Sequence, residues 1–423
     1  VLDGRVGAVL AVSVIHALAA IPWVVLIVSL GLVHIHRGQE ETALIDGGPW
    51  HWLRFGLAPK LRIWIAASCL WCFVPVLTEM VVTNLYQVPT VAEQVYLDAS
   101  RGELSPWTYI AAVALCALPL LLAGGWWRRR QVPWSDLVYR AAHHRGERLT
   151  LGSARPLVGL GLWCVVLLLV ALPLVNLLIK AGWQPQMAAT GESQFGWSWT
   201  RLATTFAESI TLYQDHFVWS ALLAAGSTGL AAALAIGLRG WLSVSSSAVG
   251  GHGPTVINSI ALAMIAVPGP LAGMLIIALM NRSQPAWLGM LYDRTLTAPI
   301  LAQQFRIFPL AWVLSGTVLA NLSRGVWEQA LLDGLGPWQR ITHVVWPQTW
   351  SRWLLMLLIL FVMSIGELSC TILVLPPGVT TLSMRLFEML HFGMRHQDSG
   401  LCFLLIGLSW LVSLLAWKTL NER

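Results

Sequence analysis

The sequence predicts an all-α protein that crosses a membrane several times. Its 423 residues are 57% hydrophobic and only 11% charged, and the mean hydropathy is +0.68. A soluble domain carries about 25% charged residues, so this composition excludes both a soluble enzyme and a disordered chain. Apolar runs close to 20 residues in length recur along the chain, and a helix needs about that length to cross a bilayer.

Nine such runs are expected to be membrane spans. They cover 6–35, 62–86, 107–127, 156–180, 216–238, 255–280, 299–322, 351–375 and 399–418. Loops on the cytoplasmic side keep an excess of Lys and Arg, and the segment 128–155 alone holds seven arginines. With that segment inside, the cytoplasmic segments hold 17 of the 26 Lys and Arg, and the C-terminus is cytoplasmic. The net charge of +6 therefore indicates topology and not a nucleic acid partner.

The polar segment 181–215 is expected on the opposite side, because it is nearly free of Lys and Arg. Its tryptophans, Trp183, Trp197 and Trp199, indicate contact with the outer membrane surface. The six cysteines all lie in apolar runs, so neither a disulfide framework nor a metal site is expected.

Two predicted cytoplasmic segments, 41–59 and 328–347, share one pattern. In each, an aspartate followed by glycine comes five residues after a glutamate, and a closing proline comes 13 or 14 residues after the aspartate. A proline precedes each glutamate by 19 residues, and a second glutamate follows each closing proline by 20. So many equal spacings indicate an internal duplication. The paired residues are Pro22 and Pro309, Glu41 and Glu328, Asp46 and Asp333, Pro59 and Pro347, Glu79 and Glu367, and Thr83 and Thr371.

The duplication predicts two halves. Residues 1–127 form an incomplete N-terminal half with three spans and the segment 41–59, residues 128–155 form a basic linker, and residues 156–423 form a C-terminal half with six spans and the segment 328–347. Comparison of the halves leads us to expect about twelve spans in a complete chain, with the missing ones before Val1. An even number of spans separates the two segments, so the repeat is parallel, which argues against inverted-repeat secondary transporters.

The two segments resemble the EAA motif of the inner-membrane permease subunits of bacterial ABC importers of the type I fold. The resemblance covers most of 216–420 and, more weakly, 6–127. In that family the motif forms a coupling helix that docks on a separate ATPase dimer. The matching residues, which would couple this chain to the ATPase, are Glu41, Ala43, Asp46, Gly47 and Pro59 in the first segment and Glu328, Ala330, Asp333, Gly334 and Pro347 in the second.

The resemblance also implies partners and a location. The chain has no GxxxxGK[ST] phosphate loop, so ATP and Mg would be bound by the partner ATPase and no cofactor by this chain. An extracytoplasmic solute-binding protein would deliver the solute, and the chain would lie in the bacterial inner membrane. The stretch 366–393 is similar to that of iron(III)- and thiamine-type fused permeases, which makes iron(III) the expected solute.

Ionisable residues inside spans are costly and are functional candidates. Glu79 and Glu367 are expected in the outer halves of their spans, where two carboxylates could line a translocation pathway together with Thr83, Ser369 and Thr371. The alternative is that each carboxylate accepts hydrogen bonds from the backbone at a helix end. Arg306, next to Gln303 and Gln304, is expected where a helix enters from the outer interface.

Two other function classes are considered. An ion- or proton-coupled secondary transporter with parallel repeats would need no ATPase. A membrane-embedded enzyme would need a catalytic cluster, and the sequence presents none, so the chain is expected to be a transport subunit and not an enzyme.

Overall fold

The computed structural model describes residues 2–32, 45, 47–48, 50–101, 105–108, 110–114, 117, 121, 154–187, 193–245, 253–282, 284–320, 329–330, 332–336, 339, 341–392 and 395–421. Helices make up most of these residues. In chain order they are α1 (Leu2–Leu32), α2 (Ala58–Thr78), α3 (Val81–Leu85), α4 (Val91–Arg101), α5 (Arg155–Val166), α6 (Leu172–Gly182), α7 (Trp199–Leu212), α8 (Gln214–Ser245), α9 (Gly253–Ala266), α10 (Gly269–Met280), α11 (Ala286–Arg294), α12 (Thr297–Ala320), α13 (Trp346–Ile365), α14 (Leu382–Phe392) and α15 (Arg395–Asn421).

Within the described residues, four helical stretches are long and apolar enough to cross a membrane. They are Arg5–Ser29, Arg155–Gly182, Gln214–Leu242 and Trp346–Ile365. The stretch Arg155–Gly182 joins α5 and α6 through a π-helical turn at Leu167–Ala171. A multi-pass helical membrane protein is thus supported, but the prediction of nine spans is not confirmed.

Three of the expected spans are interrupted. The expected span 255–280 is bent by 107° between α9 and α10, where Pro268 has no N–H to continue the helix. The expected span 62–86 stops at Thr78, and the expected span 351–375 stops at Ile365. The expected span 107–127 and the linker 128–155 lie largely outside the described residues.

The all-α prediction is wrong at one place. Strands β1 (Trp183–Met187) and β2 (Ser193–Trp197) form an antiparallel pair directly after α6, with Trp183 opposite Trp197. Aromatic residues favour strands, and Pro185 is tolerated because a two-stranded pair has only edge strands. This hairpin falls within the segment that the sequence assigned to the outer surface, and no apolar run marked it.

The core of the C-terminal half is built around α12. This helix packs against α8, α9, α10 and α13. Small residues such as Ala231, Ala235 and Ala311 are fully buried where the helices meet, which allows close approach of their backbones. The space beside them is filled by Trp312 on α12 and Trp353 on α13.

The break between α9 and α10 is held against a second irregular segment, residues 366–381, which follows α13. Gly269 begins α10, and a Cβ atom added to it would lie 2.4 Å from Cβ and 2.6 Å from the carbonyl carbon of Ser369. Gly273 similarly faces the Cys370 carbonyl oxygen at 3.1 Å. The start of α10 therefore packs closely against the segment 366–381, and the contact is made at two glycines of α10.

We expect Gly269→Ala to destabilise the purified protein by about 1–3 kcal/mol, because the new methyl group overlaps the Ser369 backbone. Gly229→Ala on α8 is the matched control, since no heavy atom lies within 4 Å of its added Cβ. Thermal unfolding in detergent, followed by tryptophan fluorescence, measures both. Equal melting temperatures for the two variants would contradict the close contact between 269 and 369.

Candidate functional site

Each of the two EAA-like segments contains one glycine with a positive φ. Gly48 and Gly334 have φ values of +73° and +70°, a region that other residues adopt only at a cost. In the second segment the N–H of Leu335 donates to the Ala330 carbonyl at 3.2 Å, which is the six-to-one bond of a Schellman cap. Gly334 thus turns the chain where the short helix of the second segment ends, whereas the described residues on both sides of Gly48 are helical.

The remaining coupling residues are only partly described. Glu41, Ala43, Asp46 and Glu328 lie outside the described residues. Gly47 lies beside Gly48, while Ala330 is buried with 3% exposure and Asp333 is exposed. The structure therefore places a buried apolar residue and an exposed carboxylate in the last turn before the second cap.

The closing prolines enter their spans through the same local distortion. A π-helical turn at Trp52–Leu57 runs into α2 with Pro59 in its first turn, and another at Ile341–Val345 runs into α13 with Pro347 in its first turn. Proline has no N–H to donate to the carbonyl four residues earlier. Just before Pro59, the N–H of Ala58 donates to the Leu53 carbonyl, five residues back, which is the π-helical pattern.

The sequence led us to expect Glu79 and Glu367 inside their spans. In the structure they lie just beyond the ends of α2 and α13. The Glu79 Oε1 atom accepts from the Val82 N–H at 2.9 Å, and the Glu367 Oε1 atom accepts from the Cys370 N–H at 3.0 Å. The Thr83 and Thr371 hydroxyls donate to the Met80 and Leu368 carbonyls, each at 3.1 Å. The structure therefore supports the alternative of helix-end carboxylates.

The two breaks differ in their side-chain surroundings. Glu79 Oε2 lies 3.5 Å from His16 Nε2 on α1. On the other break, Ser369 packs against Gly269, and the chain then turns at Pro377 and Gly378, where the φ of +83° and the bond from Val379 N–H to the Pro376 carbonyl define a tight turn.

Both breaks lie against α14. The His391 imidazole on α14 is hydrogen-bonded to Asn84 of α3 at 2.8 Å, and Asn84 in turn donates to Glu93 at 2.9 Å. The Ser383 hydroxyl on α14 donates to the Glu367 carbonyl at 3.5 Å. Residues from both predicted halves thus meet on one helix, although the two carboxylates bond to their own breaks and not to each other.

Polar side chains of α12 reach three neighbouring helices, which sequence reasoning did not foresee. Gln303 and Ser364 on α13 exchange two hydrogen bonds, and Gln304 donates to the Ser227 carbonyl on α8 at 3.2 Å. Arg306 donates to the Ile265 carbonyl at 2.6 Å, at the break that ends α9. Arg306 therefore lies within the helix packing, and the expectation that it marks the outer interface was wrong.

Comparisons with known proteins bear on the part of the chain that holds this arrangement. Residues 247–417 match the family model described as "Binding-protein-dependent transport system inner membrane component". Three proteins named "Putative 2-aminoethylphosphonate transport system permease protein PhnV", from Salmonella paratyphi A, Salmonella typhi and Salmonella typhimurium, are each 25% identical over 206 residues, which is 47% of this chain and 76% of theirs. The matches support a permease of an ABC importer. They do not single out iron(III)- or thiamine-type permeases.

Glu367 could stabilise its break either as a hydrogen-bond acceptor or through its negative charge, and two substitutions separate these roles. Glu367→Gln keeps an oxygen that can accept from the Cys370 N–H, so we expect its melting temperature to stay close to that of the unmodified protein. Glu367→Ala removes the acceptor and should cost about 1 kcal/mol, as the loss of a helix cap does. Thermal unfolding in detergent tests this, and equal destabilisation by both variants would show that the charge, not the cap, matters.

Proposed function

We propose that the chain is the transmembrane permease subunit of an ATP-binding-cassette importer, which moves a solute from an extracytoplasmic binding protein to the cytoplasm. A separate ATPase subunit, working as a dimer, binds ATP and Mg and supplies the energy. The observation that carries the proposal is the pair of EAA-like segments, each with a positive-φ glycine and each followed by a π-helical turn into a proline-started span. The family match over 247–417 supports it.

The same pair of segments supports a duplicated chain. The spans that follow the two segments begin with the same π-helical turn, and each span is followed by a glutamate whose carboxylate accepts a backbone N–H. We propose that the two segments are coupling helices on the cytoplasmic side, with the C-terminus on that side also. Docking on the ATPase would then depend on Glu41, Ala43, Asp46, Gly47 and Pro59 and on Glu328, Ala330, Asp333, Gly334 and Pro347.

The solute is proposed from the relatives and not from the iron(III)-type resemblance. The three Salmonella relatives are named for 2-aminoethylphosphonate, whose phosphonate group is an anion. We therefore place a phosphonate ahead of iron(III), which stays as the second solute to test. Glu79, Thr83, Glu367, Ser369 and Thr371 would border the pathway through the two helix breaks, with their side chains mainly holding the breaks in shape.

Co-purification of the ATPase tests the coupling role. We expect Gly334→Ala to weaken the association, because alanine at a φ of +70° costs about 1–2 kcal/mol and shifts the turn that presents Asp333. No heavy atom lies within 4 Å of the added Cβ, so the effect comes from the backbone alone. Native mass spectrometry of the complex in mild detergent measures how much ATPase is retained.

Gly336→Ala is the matched control, because its φ is not positive and its Cβ would make only an ordinary 3.6 Å contact with Gln339 Oε1. It should retain the ATPase as the unmodified chain does. If the unmodified chain recovers no ATPase, and uptake into vesicles persists without ATP and collapses with an uncoupler, the gradient-driven secondary transporter replaces this proposal.

A further inference from the structure

We infer that Arg306 forms an oxyanion-recognition site inside the bundle, at the junction of the two irregular segments that follow α9 and α13. The inference rests on the proposed function and goes further, because it assigns a substrate class and a residue to the translocation pathway. The ligand would carry a phosphonate, phosphate or similar oxyanion group, which a planar guanidinium binds with paired hydrogen bonds.

The first argument is the depth of the charge. Arg306 is the tenth residue of α12, so it lies roughly 14 Å along the helix from its first residue, at a rise of about 1.5 Å per residue. Charged side chains at such depth are costly and usually face a pathway or a partner. Among the described residues no carboxylate oxygen lies within 4.0 Å of the guanidinium, so its charge is not neutralised by a direct ion pair.

The second argument is the geometry around the guanidinium. One of its nitrogens donates a hydrogen bond to the Ile265 carbonyl, which lies next to the 107° bend between α9 and α10. The thiol of Cys370 interacts with both Arg306 and Glu367. Arg306 is only partly buried and its guanidinium has five N–H donors, so donors remain beyond those used for Ile265 and Cys370.

The third argument is what the bend does to α10. Its first turn, from Gly269 to Ala272, is buried, and Gly269 packs against Ser369, so the segment that follows α13 covers this helix end. Gly269 lies four residues after Ile265, so the positive end of α10 raises the electrostatic potential near the guanidinium, and we assign the contact with the ligand to Arg306 alone.

A purely structural role for Arg306 would be to hold the Ile265 carbonyl. That role needs a hydrogen-bond donor, whereas anion recognition needs a positive charge. Arg306→Lys keeps a donor and the charge, and Arg306→Gln keeps a donor but loses the charge. The pair of variants therefore separates the two roles. Arg282→Gln is the matched control, because Arg282 is exposed and also donates to a backbone carbonyl, that of Ala278.

The experiment is ATP-driven uptake of radiolabelled 2-aminoethylphosphonate by the complete complex, with its ATPase and binding protein, in phosphatidylcholine vesicles. We expect Arg306→Gln to raise KM roughly tenfold to a hundredfold, the equivalent of one charged hydrogen-bonded contact. Arg306→Lys should restore much of that loss, and Arg282→Gln should behave as the unmodified complex. Melting temperatures are measured in parallel, so that a misfolded variant is recognised as such.

Three outcomes overturn the inference while leaving the importer intact. The first is equal KM values for the Arg306→Gln and Arg306→Lys variants, with lowered stability in both. The second is ATP-driven uptake of ferric citrate but not of the phosphonate or of inorganic phosphate. The third is an effect of Arg306→Gln on KM that appears only when phosphatidylglycerol is added, which would assign Arg306 to lipid headgroups. Absence of any ATP-dependent uptake or bound ATPase instead overturns the proposed function.

Discussion

The architecture depends on how backbone groups are satisfied where membrane helices stop. Inside a bilayer no water is available to bond a free carbonyl or N–H, so each interruption needs a partner from the protein itself. This chain interrupts its expected spans after Ala266, after Thr78 and after Ile365. The partners are a guanidinium at the first break and carboxylates at the other two. These side chains therefore stabilise the irregular segments.

The central helix α12 connects these breaks to the rest of the bundle. It faces α13 through Gln303, α8 through Gln304 and the end of α9 through Arg306. Its C-terminal part belongs to a core that also contains parts of α8, α9 and α13, and Arg239 of α8 stacks on Trp312 and donates to Ser315. A movement applied at the segment that follows α12 would therefore reach the broken helices through one rigid element. That is the physical requirement for coupling a cytoplasmic motor to a pathway in the membrane.

Much of the candidate coupling site could be predicted from the residues. The spacing of glycine and proline in 41–59 and 328–347 indicated a sharp turn and a proline-started helix in each segment. Gly334, Pro59 and Pro347 have those roles in the structure, and Gly48 has the positive φ that glycine permits. Local backbone chemistry decided these features, since a positive φ and a missing N–H are properties of single residues. The equivalence of Glu79 and Glu367 was also visible in the spacing, and hydrogen bonding to the backbone at a helix end was one of the two roles that the residues left open.

The sequence by itself determined the membrane class and the helices with unbroken apolar runs, because burial in lipid depends on composition over about 20 residues. It also determined where the turn of the second EAA-like segment falls and where the two proline-started helices begin. Only the tertiary structure decided that the run 255–280 bends, that Arg306 lies inside the bundle, and that residues 183–187 pair with 193–197 as strands. Each of these features depends on a contact with residues distant along the chain or on the angle between two helices. Arg306, for example, reaches a carbonyl 41 residues away, and hydropathy along the chain carries no information about that contact.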